Sequence, residues 1–150
     1  ARAFALFKGF DLDKGVADLD AAIETLRTMP GCSGSVGALG FCLGGRLAYL
    51  TATRTRVDAA VGYYGVYLTE HLHEVIRCPL MLHVAGADEF FPVEAQKQIQ
   101  AALGKHPKVT LHHYPGLGHA FARDGGKHWD ADGARAANAR TAAFFKKHLG

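Results

Sequence analysis

Apolar residues along the chain switch between helical spacing and short continuous runs. From residue 16 to residue 26 they recur at helical spacing with charged residues between them, which predicts an amphipathic helix. Short apolar runs bounded by turn residues predict strands over 36–41, 57–64, 80–85 and 109–114. Further helices are predicted over 43–53, 71–76, 93–103 and 131–148. This alternation predicts an α/β fold with a mostly parallel sheet and helices on both faces.

The turn after the first predicted strand carries the most informative motif, Gly40-Phe41-Cys42-Leu43-Gly44. Glycines on both sides of a candidate nucleophile are typical of a nucleophile elbow, the sharp strand-to-helix turn that exposes a reactive side chain. We expect a Cβ at Gly40 or Gly44 to clash with nearby backbone and the Cys42 dihedral angles to be strained. The N-terminus of the following helix would favour a Cys42 thiolate. A buried, unreactive cysteine in a glycine-rich turn is the alternative explanation.

A cysteine nucleophile needs a base, and the base needs an acid that orients it. In folds with this elbow, acid and base follow the nucleophile in chain order, in loops at the C-terminal ends of strands. Asp88 follows the third predicted strand and His119 follows the fourth. Glu89 is an alternative acid, and Asp88 could instead cap the helix that begins near Pro92. The other histidines are assigned to strands (His83, His112, His113) or to the surface (His71, His73, His106, His128, His148).

Composition narrows the functional classes. The 150 residues suffice for one domain, and 49% hydrophobic and 21% charged residues are typical of soluble globular proteins. The net charge is +3 and the basic residues are dispersed, so we expect no nucleic-acid binding. No apolar run has the length of a membrane span. The three cysteines lack metal-ligand spacing, which favours a reduced, cytoplasmic setting and predicts neither a metal nor another cofactor.

The predicted nucleophile strand raises a question about the sheet. Residues 36–41 are apolar on both faces, as in a central strand, yet no predicted strand precedes them. The strand would then form an exposed apolar edge, which natural proteins avoid. We therefore expect residues 1–150 to be the C-terminal portion of a larger domain that lacks its N-terminal strands here, or to be completed by a partner. The full domain could be a monomer or a dimer.

Several stretches of the sequence resemble the dienelactone hydrolase family, a cysteine-containing branch of the α/β-hydrolases. The similar stretches are residues 15–23, the elbow extended to Gly45, residues 61–66, Gly86-Ala87-Asp88 followed by Phe90, and residues 118–123. The combination of a cysteine elbow, Tyr-Tyr-Gly and His-x-Phe-x-Arg is specific. The resemblance implies an α/β-hydrolase fold and the opening of a dienelactone, a small carboxylate-bearing lactone, to maleylacetate through a thioester.

The resemblance also implies roles for individual residues. Cys42 would be the nucleophile, His119 the base and Asp88 the acid that orients it. The Leu43 backbone N–H would supply part of the oxyanion hole. Arg123 would hold the substrate carboxylate, a role that suits a guanidinium. The pocket would be lined by Tyr64 and, with less support, by Tyr63 and Phe90.

Two departures from the family pattern leave other functions open. Strands that precede this region in the family supply a second arginine, an acidic residue near the cysteine and one oxyanion-hole amide. Phe4 and Phe7 also stand where a tyrosine and a tryptophan are expected, which puts the substrate range in doubt. The alternatives are a broader carboxylesterase or thioesterase, a non-catalytic fragment, or redox sensing by Cys42.

Overall fold

The computed structural model describes residues 2–150 as one layered α/β unit. Its helices are α1 (Arg2–Lys8), α2 (Leu12–Thr28), α3 (Leu43–Arg54), α4 (Val93–Leu103) and α5 (Ala131–Leu149). Its strands are β1 (Gly37–Phe41), β2 (Ala59–Tyr63), β3 (Leu80–Ala85) and β4 (Val109–Tyr114). The four strands are parallel and lie in the order β1-β2-β3-β4, which confirms the predicted parallel sheet.

Helices cover both faces of the sheet because the apolar side chains of its central strands alternate. On β2 and β3, one face presents Ala60, Leu80 and Leu82 to a core shared with α2, α3 and α4. The opposite face presents Val61 and Met81 to a core that α5 completes. Each fully buried leucine contributes about 1.5–3 kcal/mol relative to an exposed one, so these two cores hold the sheet between its helices.

β1 forms one edge of the sheet within residues 2–150, as the apolar pattern predicts. Its register pairs Leu39 with Val61 and Phe41 with Tyr63. Leu39 remains 50% exposed and Phe41 46% exposed.

Within residues 2–150, no helix is both long and apolar enough to cross a membrane.

The connection between β2 and β3 differs from the prediction. In place of a helix over 71–76 there is a short 3₁₀ helix at Leu68–His71. His71, predicted at the surface, is buried at 9% exposure. Its ring contacts Arg46 and Glu74. The local pattern does not reveal this burial, because the polar partner that makes it possible comes from helix α3.

Candidate active site

Cys42 lies at a strained corner between β1 and α3. Its φ of 56° and ψ of −115° are unusual for a residue with a side chain. Such a conformation costs on the order of 1–3 kcal/mol and persists only where the surroundings impose it. Here the Cys42 N–H donates to the Tyr63 carbonyl oxygen at 3.0 Å, which ties the corner to β2. Leu43 begins helix α3, so its N–H has no acceptor within the helix and is available to a ligand.

Two glycines make this corner possible, and one of them is not the glycine we expected. A Cβ on Gly40 would lie 1.8 Å from the Gly44 carbonyl oxygen, so no side chain fits there. A Cβ on Gly45 would lie 2.6 Å from the Tyr63 oxygen. A Cβ on Gly44 would meet no atom within 4 Å. The expectation that Gly44 is sterically required is therefore wrong, and Gly45 has that role.

Asp88 and His119 come together above the C-terminal ends of β3 and β4. The distance from His119 Nδ1 to Asp88 Oδ2 is 2.8 Å, and the Asp88 side chain is fully buried. The other carboxylate oxygen of Asp88 accepts the Phe90 N–H at 2.9 Å, which fixes the carboxylate plane. Glu89 is exposed to solvent. Of the two candidate acids, the fold therefore brings Asp88 to the histidine.

His119 binds this carboxylate and lines the same cavity as the nucleophile candidate. Its Nδ1 is directed at Asp88, and Cys42 and His119 both form part of the wall of one cavity. Burial alone would lower the pKa of His119, but its hydrogen bond with Asp88 and the nearby Asp88 and Cys42 groups raise it to about 9. The arrangement favours an imidazolium beside the sulfur, which is the environment that activates a cysteine.

Two aromatic rings flank His119. The Tyr64 ring centroid lies 5.1 Å from the imidazole and the Phe90 centroid 4.9 Å from it, both close to edge-on. Burial also raises the pKa of Tyr64 far above its usual value, so its hydroxyl stays neutral. Tyr63 is buried against α5, where its hydroxyl lies 2.7 Å from Thr141 Oγ1. The weaker expectation that Tyr63 lines the pocket is therefore wrong.

Cys42 opens onto two cavities of different character. One, of about 460 Å³, is flanked by Tyr64, His119 and the exposed Arg123. The other, of about 270 Å³, is mainly apolar, and its wall includes Phe4 and Tyr67. A substrate attacked by the sulfur could therefore place a charged group on the first side and an apolar group on the second.

Sequence reasoning missed part of the second cavity wall. Val66 and Tyr67 lie in the connection after β2, and Ala3 lies on α1, a helix that the sequence analysis did not predict. Phe4 and Phe7, also on α1, were named only through the family resemblance. The signal for Val66 and Tyr67 was their position immediately after a strand that ends beside the elbow. Cys32 and Cys78 line neither cavity, and burial raises the pKa of the Cys78 thiol to about 11.

Substitution of the elbow glycines tests the corner geometry. We expect Gly40→Ala to abolish folding or lower the melting temperature by more than about 10 °C, because its Cβ would overlap Gly44 backbone atoms. Gly44→Ala should keep or slightly raise the melting temperature, since alanine is the better helix former by about 1 kcal/mol. Circular dichroism melting curves provide the comparison. Equal stability of Gly40→Ala and wild type would contradict the close approach.

Substitution of Asp88 tests the electrostatics of the histidine. Asp88→Asn should lower the pKa of His119 from about 9 by at least one unit, because it removes a carboxylate that opposes the effect of burial. NMR titration of the ring, assigned by comparison with His119→Gln, measures the change.

The same variant changes how stability depends on pH. A raised histidine pKa stabilises the fold below pH 6.5, and that contribution disappears as pH rises through 9. The loss of unfolding free energy over this window should be smaller in Asp88→Asn than in wild type. An unchanged His119 titration in the variant would contradict the pairing.

Comparison with known proteins identifies the family of this chain. The model of the dienelactone hydrolase family matches residues 2–149. A protein of Azospirillum brasilense named "Putative carboxymethylenebutenolidase" is 44% identical, over 99% of this chain and 65% of its own length. The carboxymethylenebutenolidase of Pseudomonas putida is 41% identical, over 95% of this chain and 61% of its own length.

A solved structure shows a similar fold at lower sequence identity. The crystal structure titled "Putative Dienelactone Hydrolase" from Klebsiella pneumoniae superposes with a TM-score of 0.78 at 23% identity, over 87% of this chain and 60% of that chain. This likeness shows the α/β-hydrolase fold. The chain spans less than two thirds of the length of these relatives. With its match over residues 2–149, the chain belongs to the dienelactone hydrolase family.

Proposed function

We propose that this chain carries the nucleophile, base and acid of a hydrolase that opens a small carboxylate-bearing lactone, a dienelactone, to maleylacetate. The observation that carries the proposal is the position of His119, which is hydrogen-bonded to Asp88 at 2.8 Å and lines the same cavity as Cys42. The names of the Azospirillum and Pseudomonas relatives support the substrate class. The apolar and arginine-bearing cavities give a lactone ring and its carboxylate separate places.

The reaction would proceed through a thioester. The Cys42 thiolate attacks the lactone carbonyl carbon and forms a C–S bond, while the ring C–O bond breaks and an enolate leaves. The enolate is a good leaving group, so ring opening needs little general-acid help. The His119 imidazolium gives its proton to the enolate, which becomes the ketone of the product. The neutral imidazole then takes a proton from water, and the hydroxide attacks the thioester and releases the thiolate.

Two further groups would stabilise charge during this sequence. The Leu43 N–H, at the start of α3, donates to the developing oxyanion together with the positive end of the helix dipole. Arg123 lines the same cavity as Cys42 and binds the substrate carboxylate. Asp88 holds His119 in the orientation and tautomer that the proton transfers require.

Turnover of a dienelactone tests the proposal directly. Hydrolysis is measured for the 150-residue chain and for a chimera in which it replaces the matching region of the Pseudomonas putida relative. We expect hydrolysis by the chimera and its complete loss in Cys42→Ala, with unchanged circular dichroism. The chimera includes any oxyanion donor that precedes this region. A folded chimera without activity, or activity retained in Cys42→Ala, would overturn the proposed reaction.

Arginine replacement tests the carboxylate site. Arg123→Ala in the chimera should raise KM for the anionic lactone by about 10–100-fold, because a hydrogen bond to a charged group contributes about 1.5–3 kcal/mol. The KM for the neutral methyl ester of the lactone should stay unchanged. Arg135→Ala, which removes an exposed arginine of α5, is the matched control. An equal effect of Arg123→Ala on both substrates would contradict a carboxylate contact.

The apolar cavity favours a second candidate function, a broader carboxylesterase or thioesterase. Phe4 and Phe7 contribute only apolar rings to this wall, which also includes Tyr67, so a neutral ester with a small apolar acyl group would fit beside Cys42. Higher kcat/KM for neutral aryl esters than for the anionic lactone would favour this function. Redox sensing or a non-catalytic role would instead predict a folded chimera that turns over neither substrate.

A further inference from the structure

Arg46 is a buried arginine that has no role in the catalysis or the substrate binding proposed above. It lies in the first turn of α3, where its N–H donates to the Cys42 carbonyl oxygen at 3.2 Å, and its side chain is 10% exposed. Its guanidinium donates to His71 Nε2 from Nε at 3.1 Å and from Nη2 at 2.9 Å. It also forms an ion pair with Glu70 and lies 5.5 Å from the centre of the Tyr67 ring.

All three residues that contact the Arg46 guanidinium belong to the segment 66–74, which follows β2. Tyr67 has a left-handed backbone conformation, with φ of 56°, that needs support from its surroundings. Val66 and Tyr67 of this segment form part of the apolar cavity wall beside Cys42. The guanidinium therefore joins the helix behind the nucleophile to one wall of the cavity in front of it.

His71 extends the connection to the other end of α3. Its Nδ1 lies 3.0 Å from Glu74 Oε1. The Glu74 carboxylate in turn accepts hydrogen bonds from Thr53 Oγ1 at 2.7 Å and from Arg54 at 2.7 and 3.0 Å. Tyr49, in the middle of α3, donates its hydroxyl to the His71 carbonyl oxygen at 3.2 Å. Segment 66–74 is thus hydrogen-bonded to α3 at positions along most of the helix.

The hydrogen bonds around His71 define its protonation state. Arginine can only donate, so Nε2 must be the unprotonated acceptor and Nδ1–H must donate to Glu74. Protonation would place an Nε2–H against the N–H groups of Arg46 and set two positive charges in contact. The connection between Arg46 and His71 therefore exists only while the imidazole is neutral.

We propose that Arg46 is a positioning residue, which holds segment 66–74 as the apolar wall of the site through a neutral His71, and that acidification releases this wall. The inference deepens the proposed function, because it takes the cavity beside Cys42 to be the substrate cavity. It adds a second pH-sensitive histidine to the site, one that touches neither the substrate nor the nucleophile.

The other charges around His71 allow this switch. The hydrogen bond from Arg54 outweighs burial and, with other contacts, lowers the pKa of Glu74 to about 2, so Glu74 stays ionised throughout the range in which histidine titrates. On α4, which also packs against this segment, Glu94 and Lys97 pair with each other at the surface at 2.8 Å. Arg46 and Glu74, the charged groups that contact the ring, therefore keep their charges when the solution is acidified.

The proposal is tested by two measurements that need no turnover. The first is hydrogen exchange of segment 66–74, expressed as protection factors between pH 8 and pH 5, with α5 as internal reference. The second is the ratio of the rates at which N-phenylmaleimide and N-methylmaleimide alkylate Cys42, located by peptide mass. Because both reagents react with the same thiolate, the ratio of their rates does not depend on how reactive that thiolate is. The ratio reports whether the phenyl group packs against the apolar cavity wall beside Cys42. N-acetylcysteine gives the ratio for a thiol without a cavity.

Two conservative variants separate positioning from general stability. Arg46→Lys keeps the charge but cannot donate from two nitrogens to His71, so at pH 8 protection should fall at least tenfold and the ratio should approach that of N-acetylcysteine. His71→Gln keeps an acceptor for Arg46 that does not titrate. When the pH is lowered from 8 to 5, the wild type should lose the hydrogen-exchange protection of segment 66–74 and its high ratio of alkylation rates. The His71→Gln variant should retain both.

Defined outcomes would overturn the proposal. Arg46→Lys with wild-type protection and a wild-type ratio would show that Arg46 does not hold the wall. His71→Gln that loses the wall on acidification as wild type does would show that His71 is not the switch. Failure of the proposed lactonase function would appear instead as absent turnover with both measurements behaving as expected.

Discussion

The site depends on one close approach between backbones at the end of β1. A Cβ on Gly40 would lie 1.8 Å from the Gly44 oxygen, and one on Gly45 would lie 2.6 Å from the Tyr63 oxygen. Without side chains at these points, the start of α3 crosses directly over β1 and β2. This crossing forces Cys42 to φ 56° and leaves the first N–H groups of the helix beside it. The backbone strain at Cys42, its partial exposure and its positive electrostatic environment therefore all follow from the same close approach of backbones.

A second constraint fixes the sheet beneath the site. His83, almost fully buried, lies 2.8 Å from the Tyr114 hydroxyl and 2.9 Å from Thr141 Oγ1 on α5. Burial lowers its pKa to about 3, so it remains a neutral hydrogen-bonding group. Thr141 also contacts the Tyr63 hydroxyl, and the Tyr63 carbonyl receives the N–H of Cys42. Polar groups that are fully paired in this way hold α5, β2, β3 and the elbow in one arrangement.

Asp88 and His119 reach this corner from separate loops. Some of their features could be predicted from the sequence and others could not. The Asp88–His119 pair follows from strand order, because the C-terminal ends of neighbouring parallel strands meet at one edge of a sheet. Strand order alone did not decide between Asp88 and Glu89, since adjacent residues differ only in the direction that the turn gives them, and the choice of Asp88 came from the family resemblance. The buried contact of Arg46 with His71 was also missed, because it joins residues 25 positions apart.

The sequence by itself determined the four strands, their parallel arrangement, helices α2 to α5, the apolar edge strand and the elbow. These features follow from apolar spacing and from glycine and proline positions, which act over a few residues. Only the tertiary structure decided that Gly45 rather than Gly44 is crowded, that Tyr63 faces away from the site, and that His71 is buried. Each of these depends on which atoms of distant elements meet in space, and local spacing carries no information about that.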